Sequence, residues 1–392
     1  MLLSSLKVLD FSTLLPGPFA TMMLADLGAD VLRVEAPNRA DLTRHLGEKD
    51  SDGVSYVHKT LNRSKRSLGL DLKSPEAIEI IKKLVMDYDI VVEQFRPGVM
   101  ERLGLDYDAL KAINPALIYC SVTGYGQTGP YKGRAGHDIN YLAISGLASY
   151  TGKKHEGPLP VGFQIADVAG GSMHAVTGIL AAVVHRTQTG EGQYLDISMT
   201  DAAFALNAMA GAEAAGAGVD AVRESMVLNG GSFYNHYETK DGRYFSVGGL
   251  EPPFMKRLCD VIGRPELFEN GLDYSQSSQA PLVDALKTAF KTKDFAEWQK
   301  VFAEIDACVE PTLSINEACQ HEQIQARNMI VEVENNNAAP IKQIACPIKF
   351  SSGEAQYKFT GATLGKHSEQ VLSECGYSPE QIDALKAAKV IK

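Results

Sequence analysis

The sequence predicts an α/β protein, with a Rossmann-like large domain on a parallel sheet and a smaller α+β domain. Three observations carry this. Strand-like and helix-like stretches alternate through the first half, which is the pattern of a parallel sheet covered on both faces. A chain of 392 residues exceeds what one core ordinarily serves, so two domains are expected. Near Ser232 the pattern changes to an Asp-Gly hairpin followed by helices. The predicted divisions are 1–200 for the large domain, completed by about 330–392, then 201–224 for a linker helix and 225–329 for the small domain.

In chain order, residues 7–11 read as a buried strand, 19–27 as a helix closed by Gly28, and 30–35 as a second strand, a βαβ unit. Glu35 falls about where a dinucleotide-binding acid would stand. However, Leu15-Pro16-Gly17-Pro18 is no GxGxxG loop, so Glu35 reads as a strand-end residue. Residues 66–72 form a short strand. Ser74-Pro75-Glu76 opens a helix, with Ser as N-cap and Pro at the first position. Ile78, Ile80, Ile81, Leu84 and Val85 make its apolar face. Strands at 89–92 and 117–122 flank a short helix around 106–113 that Pro115 stops. Residues 166–185 read as a helix, 193–198 as a strand, and 200–218 as an Ala-rich helix crossing between domains. Segments 233–238 and 243–247 flank Lys240-Asp241-Gly242, a strong hairpin signal. Helices follow at 254–262, 280–290 and 295–305, with 308–313 extended. After Asn335-Asn336-Asn337, residues 341–350 are strand-like, and two late helices close the chain. The last opens on Ser378-Pro379-Glu380-Gln381, a capping box.

Composition narrows the function classes. A formal charge of −10 without a dense basic run argues against nucleic-acid binding. The 6 cysteines are scattered, with no CxxC and no His at ligand spacing. They read as reduced thiols, and no metal site is expected. The residues after Met1 lack the basic and long apolar regions of a signal peptide. No apolar run is read as a membrane span, so no membrane partner is expected and the cytoplasm is the predicted location.

The chemistry concentrates in residues 136–173, GHDINYLAISGLASYTGKKHEGPLPVGFQIADVAGGSM. His137 and Asp167 each stand just ahead of a helical run. A helix start leaves N–H groups unpaired and carries partial positive charge, so two acid–base groups beside two such ends suit proton transfer around a developing oxyanion. Locally, His137 and Asp167 also suit plain N-caps, and capping is compatible with proton transfer. Ligands of parallel sheets bind at strand carboxyl ends, where Arg33, Glu35, Gln94, Arg96 and Gly124 fall.

With these residues in hand, the chain resembles the family III CoA transferases, and within them the α-methylacyl-CoA racemases. PGPFATMMLADLGADVLRVEAP, KRSLGLDLK and FRPGVMERLG are family-wide, whereas GHDINYLA followed by ADVAGGSM points to racemases. GRYFSVGGLEPPF and DACVEPTL extend the likeness. The resemblance implies that Asp167 matches the covalent nucleophile of the transferases, which racemases keep while adding a histidine, here His137. Glu251 matches a family glutamate that orients this histidine. CoA contacts carry over to Leu70, Asp71, Leu72 and Lys73, to Arg96, and to Gly136, Asp138, Ile139, Asn140 and Tyr141. The resemblance further implies an interlocked homodimer whose site lies between the large domain of one subunit and the small domain of its partner. The chain departs at Ala36, where the family often has Arg before Pro. A phosphate or adenine contact is then either lost or taken over by Arg33, Lys65 or Arg66.

The implied reaction interconverts (2R)- and (2S)-2-methylacyl-CoA thioesters. Moving a proton across one carbon needs an acid–base group on each face. A carboxyl ordinarily titrates near 3.9 and requires desolvation or a like charge to hold a proton at neutrality. The apolar surroundings of Asp167 favour that rise and the nearby helix end opposes it, which leaves the sign open. No cofactor beyond the CoA of the substrate is required. The rival activity is a true CoA transferase acting through covalent Asp167, and a non-catalytic acyl-CoA binder is a third reading.

Overall fold

The structure, a computed structural model, describes residues 2–335 and 338–392. Asn336 and Asn337 of the asparagine run, and Met1, lie outside the described residues. By contacts the chain divides into two units, the first formed by Met1–Ser145, Gly162–Leu206 and Gln325–Lys392, the second by Gly146–Val161 and Asn207–Ile324.

The first unit is built on a parallel sheet. Its strands are β1 (Lys7–Asp10), β2 (Asp30–Glu35), β3 (Lys65–Gly69), β4 (Ile90–Glu93) and β5 (Ile118–Thr123). Two short strands of the second unit, β6 (Gly152–Lys153) and β7 (Gly157–Pro158), intervene in sequence before β8 (Tyr194–Ser198) closes the sheet. The spatial order is β3-β2-β1-β4-β5-β8, every pairing parallel, so the winding direction reverses between β1 and β4. Val8, Leu9, Val31, Leu32, Ile90, Val91 and Val92 are fully buried. A parallel sheet is covered on both faces, which is why these strands read as apolar runs instead of alternating.

Boundaries differ from the sequence reading where local chemistry decides them. Helix α1 runs Pro16–Asp26, earlier than the expected 19–27, because the Pro pair is tolerated in a first turn. Gly28 after it has φ +105°, a conformation that favours glycine. Ser74 precedes the helix Pro75–Val85, but its hydroxyl bonds Glu76 instead of capping the amides. The helix expected at 106–113 is Tyr107–Lys111, with Asp106 as its N-cap accepting from the amides of Asp108 and Ala109.

One sequence expectation about membranes is corrected. The run Ile165–Thr189 is a continuous helix of 25 residues whose most apolar window has a mean hydropathy of 1.4, long and apolar enough to cross a membrane by length and composition. Its apolarity comes largely from scattered Val and Ala, with Ile165, Ile179 and Leu180, not from a block of large residues. One face of it, with Ala175, Val176, Ile179 and Ala182, is buried in the first unit.

The linker helix expected at 201–224 does not form as one element. Met199–Ala205 and Ala210–Ala217 are separate helices, and Gly218 at φ +69° ends the second. Residues 146–161, read with the large domain, belong to the second unit. Lys153 pairs with Glu224 at 3.0 Å, the amide of Lys154 donates to Glu224 at 2.8 Å, and Arg223 donates to the carbonyl of Ser149 at 2.7 Å.

The C-terminal return contains a strand the sequence reading missed. Ile330–Asn335 pairs antiparallel with Ala338–Ile344, which ends before the expected 350. Buried ions fasten this return within the first unit. Arg63 pairs with Asp26 at 2.6 Å and donates to the carbonyl of Ile344 at 2.8 Å, and Lys59 donates to Asn335 at 3.1 Å. The second unit holds an antiparallel sheet of β9 (Asn235–Glu238), β10 (Tyr244–Val247) and β11 (Val309–Pro311). Its core is aromatic, with Phe233, Tyr237, Phe245, Phe290 and Trp298.

Candidate active site

The site grows from the carboxyl end of β5. Gly124 follows that strand, and a Cβ there would stand 2.5 Å from the Tyr141 ring. A Cβ at Gly136 would stand 2.7 Å from the same ring. Both positions need glycine because Tyr141 fills the space, and its hydroxyl donates to the carbonyl of Gly136 at 2.6 Å. The helix Asp138–Ile144 then begins, with His137 as N-cap residue. Asn140 turns its side-chain oxygen back to accept from the His137 amide at 3.0 Å, which fixes the backbone there and leaves the His137 ring exposed. Ile139 is exposed beside it.

Asp138 joins the two halves of the central stretch. Its carboxylate accepts from the amide of Asp167 at 3.0 Å. This bond satisfies one of the unpaired donors of the second helix start. Asp167 is not that helix's N-cap, because Gln164 occupies that position. Asp167 stands in the first turn of a π-helical segment, Ile165–Ser172, that runs on as the α-helix Met173–Thr189. Such segments recur at functional sites because they re-aim a side chain within a helix.

The sign left open by the sequence is thereby decided. Burial pushes the Asp167 carboxyl up to about 6, the negative charge of Asp138 adds to the rise, and His137 pulls it back. Tyr141 is pushed up to about 12 by burial and by the charges of Asp167, Tyr125 and Asp138, with Arg96 opposing. His137, Asp138, Asp167 and Tyr141 therefore share one electrostatic environment in the first unit, and Arg96 acts on it.

Arg96 is exposed in the turn after β4. Two side chains shape that turn. Glu93 accepts from the amide of Phe95 at 2.7 Å, and Gln94 accepts from the amide of Gly17 at 3.0 Å. A cleft of about 430 Å³ opens beside Arg96, lined also by Glu93, Tyr107 and Tyr194. Burial pushes the Glu93 carboxyl up to about 7.

Other residues expected to contact CoA stand differently. Arg33 is 1% exposed, and its guanidinium pairs with Asp41 at 2.5 Å. Lys65 is equally buried and donates to the carbonyl of Pro18 and to Asp10. Arg66 is held between Asp30 and Glu374. All three are therefore bound to protein partners, and none is a free substitute for the arginine absent at Ala36. The reason is positional for Arg33 and Lys65, which β2 and β3 turn into the interior, where a charge must be paired, whereas Arg66 lies nearer the surface and is held there by its two carboxylates. The Leu70 side chain is fully buried in the core and its amide bonds the carbonyl of Glu35, so Leu70 has no side-chain surface for a ligand. Asp71 and Leu72 are half-buried, and Lys73 is exposed. Glu251 belongs to the second unit, exposed at the N-cap of the helix Pro252–Val261. Sequence reasoning placed Gln94 at a strand carboxyl end but missed its bond to Gly17, and it missed Ser172, whose signal was the Gly170-Gly171 pair, where backbones meet closely.

Residues 3–368 match the family model described as CoA-transferase family III. The human α-methylacyl-CoA racemase is 34% identical over 394 residues, covering 100% of this chain and 98% of that protein. The succinate–glutarate CoA-transferase of Agrobacterium fabrum is also 34% identical, over 384 residues and 95% of each chain. Among solved structures, a CAIB/BAIF family protein from Brucella suis superposes with a TM-score of 0.83 at 29% identity, covering 95% of this chain and 98% of that one.

Proposed function

Because the chain belongs to CoA-transferase family III, we propose that it is the racemase member of that family's chemistry, interconverting (2R)- and (2S)-2-methylacyl-CoA thioesters through an enolate. The observation that carries this reading is that His137 and Asp167 stand in one electrostatic environment, with the Asp167 carboxyl pushed up to about 6. A carboxyl in that range takes and gives a proton near neutrality, which an ordinary aspartate does poorly.

With one enantiomer, neutral His137 removes the α-proton and protonated Asp167 returns one on the opposite face. With the other enantiomer the roles reverse, and the pair titrates as a unit. The enolate oxygen is stabilised by N–H groups at a helix start. Asp138 holds the Asp167 backbone through its accepted hydrogen bond. Exposed Arg96 and Lys73 meet CoA phosphates, and the backbone of Gly136–Tyr141 lies along the pantetheine arm. The working unit is an interlocked homodimer in which the partner subunit's Glu251 orients the imidazole.

A second reading has a specific observation behind it, since CoA-transferases are as similar to the chain as racemases are. In that activity Asp167 attacks the thioester carbonyl and CoA leaves as thiolate, which gives a mixed anhydride. One experiment separates the two. A single enantiomer of a 2-methylacyl-CoA is incubated with the protein in deuterated water, with and without a free carboxylic acid. Racemisation with α-deuterium uptake is the expected result. CoA transfer to the acid without α-deuterium uptake, together with a trapped adduct on Asp167, overturns the proposal in favour of the transferase.

A further inference from the structure

The π-helical segment that holds Asp167 makes a buried contact that neither reading uses. In a π-helix the residue five positions on faces the carbonyl of the first. For Asp167 that residue is Ser172, which is fully buried. The Ser172 hydroxyl donates to the carbonyl of Pro16 at 2.7 Å and lies 3.1 Å from the carbonyl of Asp167. Pro16 is the first residue of α1. The next residue, Gly17, donates its amide to Gln94 at 3.0 Å, in the turn that carries Arg96.

The glycines around Ser172 explain how the backbones come this near. A Cβ at Gly171 would stand 3.0 Å from Met199 and 3.2 Å from Pro16. A Cβ at Gly170 would stand 3.3 Å from the carbonyl of Met199. At Gly17 a Cβ would overlap Ser12 at 2.2 Å. The π-segment is thus pressed onto the start of α1, with one buried hydroxyl joining them. The Gln94–Gly17 hydrogen bond, the Pro16–Gly17 peptide bond and the Ser172–Pro16 hydrogen bond therefore connect the Arg96 turn to the π-segment that carries Asp167.

We propose that Ser172 is a positioning residue for Asp167: its hydroxyl ties the π-helical turn to the carbonyl of Pro16 and so sets where the Asp167 carboxyl stands. The inference rests on the assignment of Asp167 as an acid–base group. Without the tie, the turn relaxes toward α-helical pairing, the amides shift register by one residue, and the carboxyl swings toward water. Ser172 touches neither the reacting carbon nor CoA.

The test compares the wild type with Ser172→Ala and Ser172→Thr. Three measurements are made, namely the pH profile of α-proton exchange, the binding of free CoA, and the ¹³C carboxyl titration of Asp167 assigned with Asp167→Asn. For Ser172→Ala, kcat falls about five- to tenfold, as expected for one lost orienting hydrogen bond. KM and free-CoA affinity stay within about twofold of the wild type, because this bond does not touch the ligand. The Asp167 titration moves from about 6 toward the ordinary carboxylate range. Ser172→Thr, which keeps the hydroxyl, restores the profile. An Asp167 titration identical in wild type and Ser172→Ala overturns the proposal. If the wild type exchanges no α-proton, the racemase reading fails, and the carboxyl titration alone still decides the role of Ser172.

Discussion

Asp167→Asn gives the sharpest test of the site's electrostatics. The substitution removes a titratable group with little change of shape. Folding moves this carboxyl from its ordinary 3.8 up to about 6. Its raised value makes the protonated form the favoured one in the fold. The native state is therefore unpenalised below the unfolded value and loses stability as pH rises through the folded one. At about 1.4 kcal/mol per pH unit, the full difference above pH 7 is about 3 kcal/mol. Because the carboxyl keeps some contact with water, about 1–3 kcal/mol is the expected range. Asparagine does not titrate, so the variant should be the more stable protein at neutral pH while being inactive. The stability gap should widen by about 1 kcal/mol between pH 5 and pH 8 and then level off. The assay is the thermal midpoint of both proteins across that range at fixed protomer concentration, where a gap of about 1–3 °C is expected at pH 8. A gap that is flat with pH, or one that favours the wild type at pH 8, refutes the reasoning.

His137→Ala should lower α-proton exchange by about 10²–10⁴-fold while leaving free-CoA binding near normal, measured by deuterium uptake and calorimetry. Gly192→Ala places a Cβ 2.0 Å from the carbonyl of Leu117, so the edge pairing of β8 with β5 must shift. The expected loss is about 2–4 kcal/mol, read by denaturant unfolding. Arg63→Met leaves Asp26 buried without its partner, and burial already pushes that carboxyl up. The loss should be about 3–5 kcal/mol. Limited proteolysis should then cut within residues 330–360, which Arg63 helps hold.

How much was legible varies by residue for physical reasons. The strand at 30–35 was read to the residue, because Val31, Leu32 and Val34 make a short β-branched and apolar stretch between Gly28 and Pro37. The hairpin around Lys240-Asp241-Gly242 was legible because Gly242 needs the positive φ it adopts, +81°. His137 was placed at a helix start and stands there. The strand Ile330–Asn335 was missed although Val331-Glu332-Val333-Glu334 alternates as a half-buried strand does, and its pairing with Ala338–Ile344 is seen only in the structure. Residues 146–161 carry no strong periodicity, so the side-chain bonds to Glu224 and from Arg223 decided where they belong.

The sequence by itself determined the alternation of strands and helices in the first half, the hairpin of the second unit, and the two acid–base residues at the starts of helices. These follow from local rules of periodicity, turn residues and capping. Only the tertiary structure decided which charges are available. Arg33, Lys65 and Arg66 look like phosphate ligands in a linear reading, yet the fold pairs each with a carboxylate contributed from elsewhere in the chain. The proton affinity of Asp167 was decided in the same way. Helix-end dipole and desolvation oppose each other there, and only the packing that buries the carboxyl beside Asp138 shows that desolvation wins.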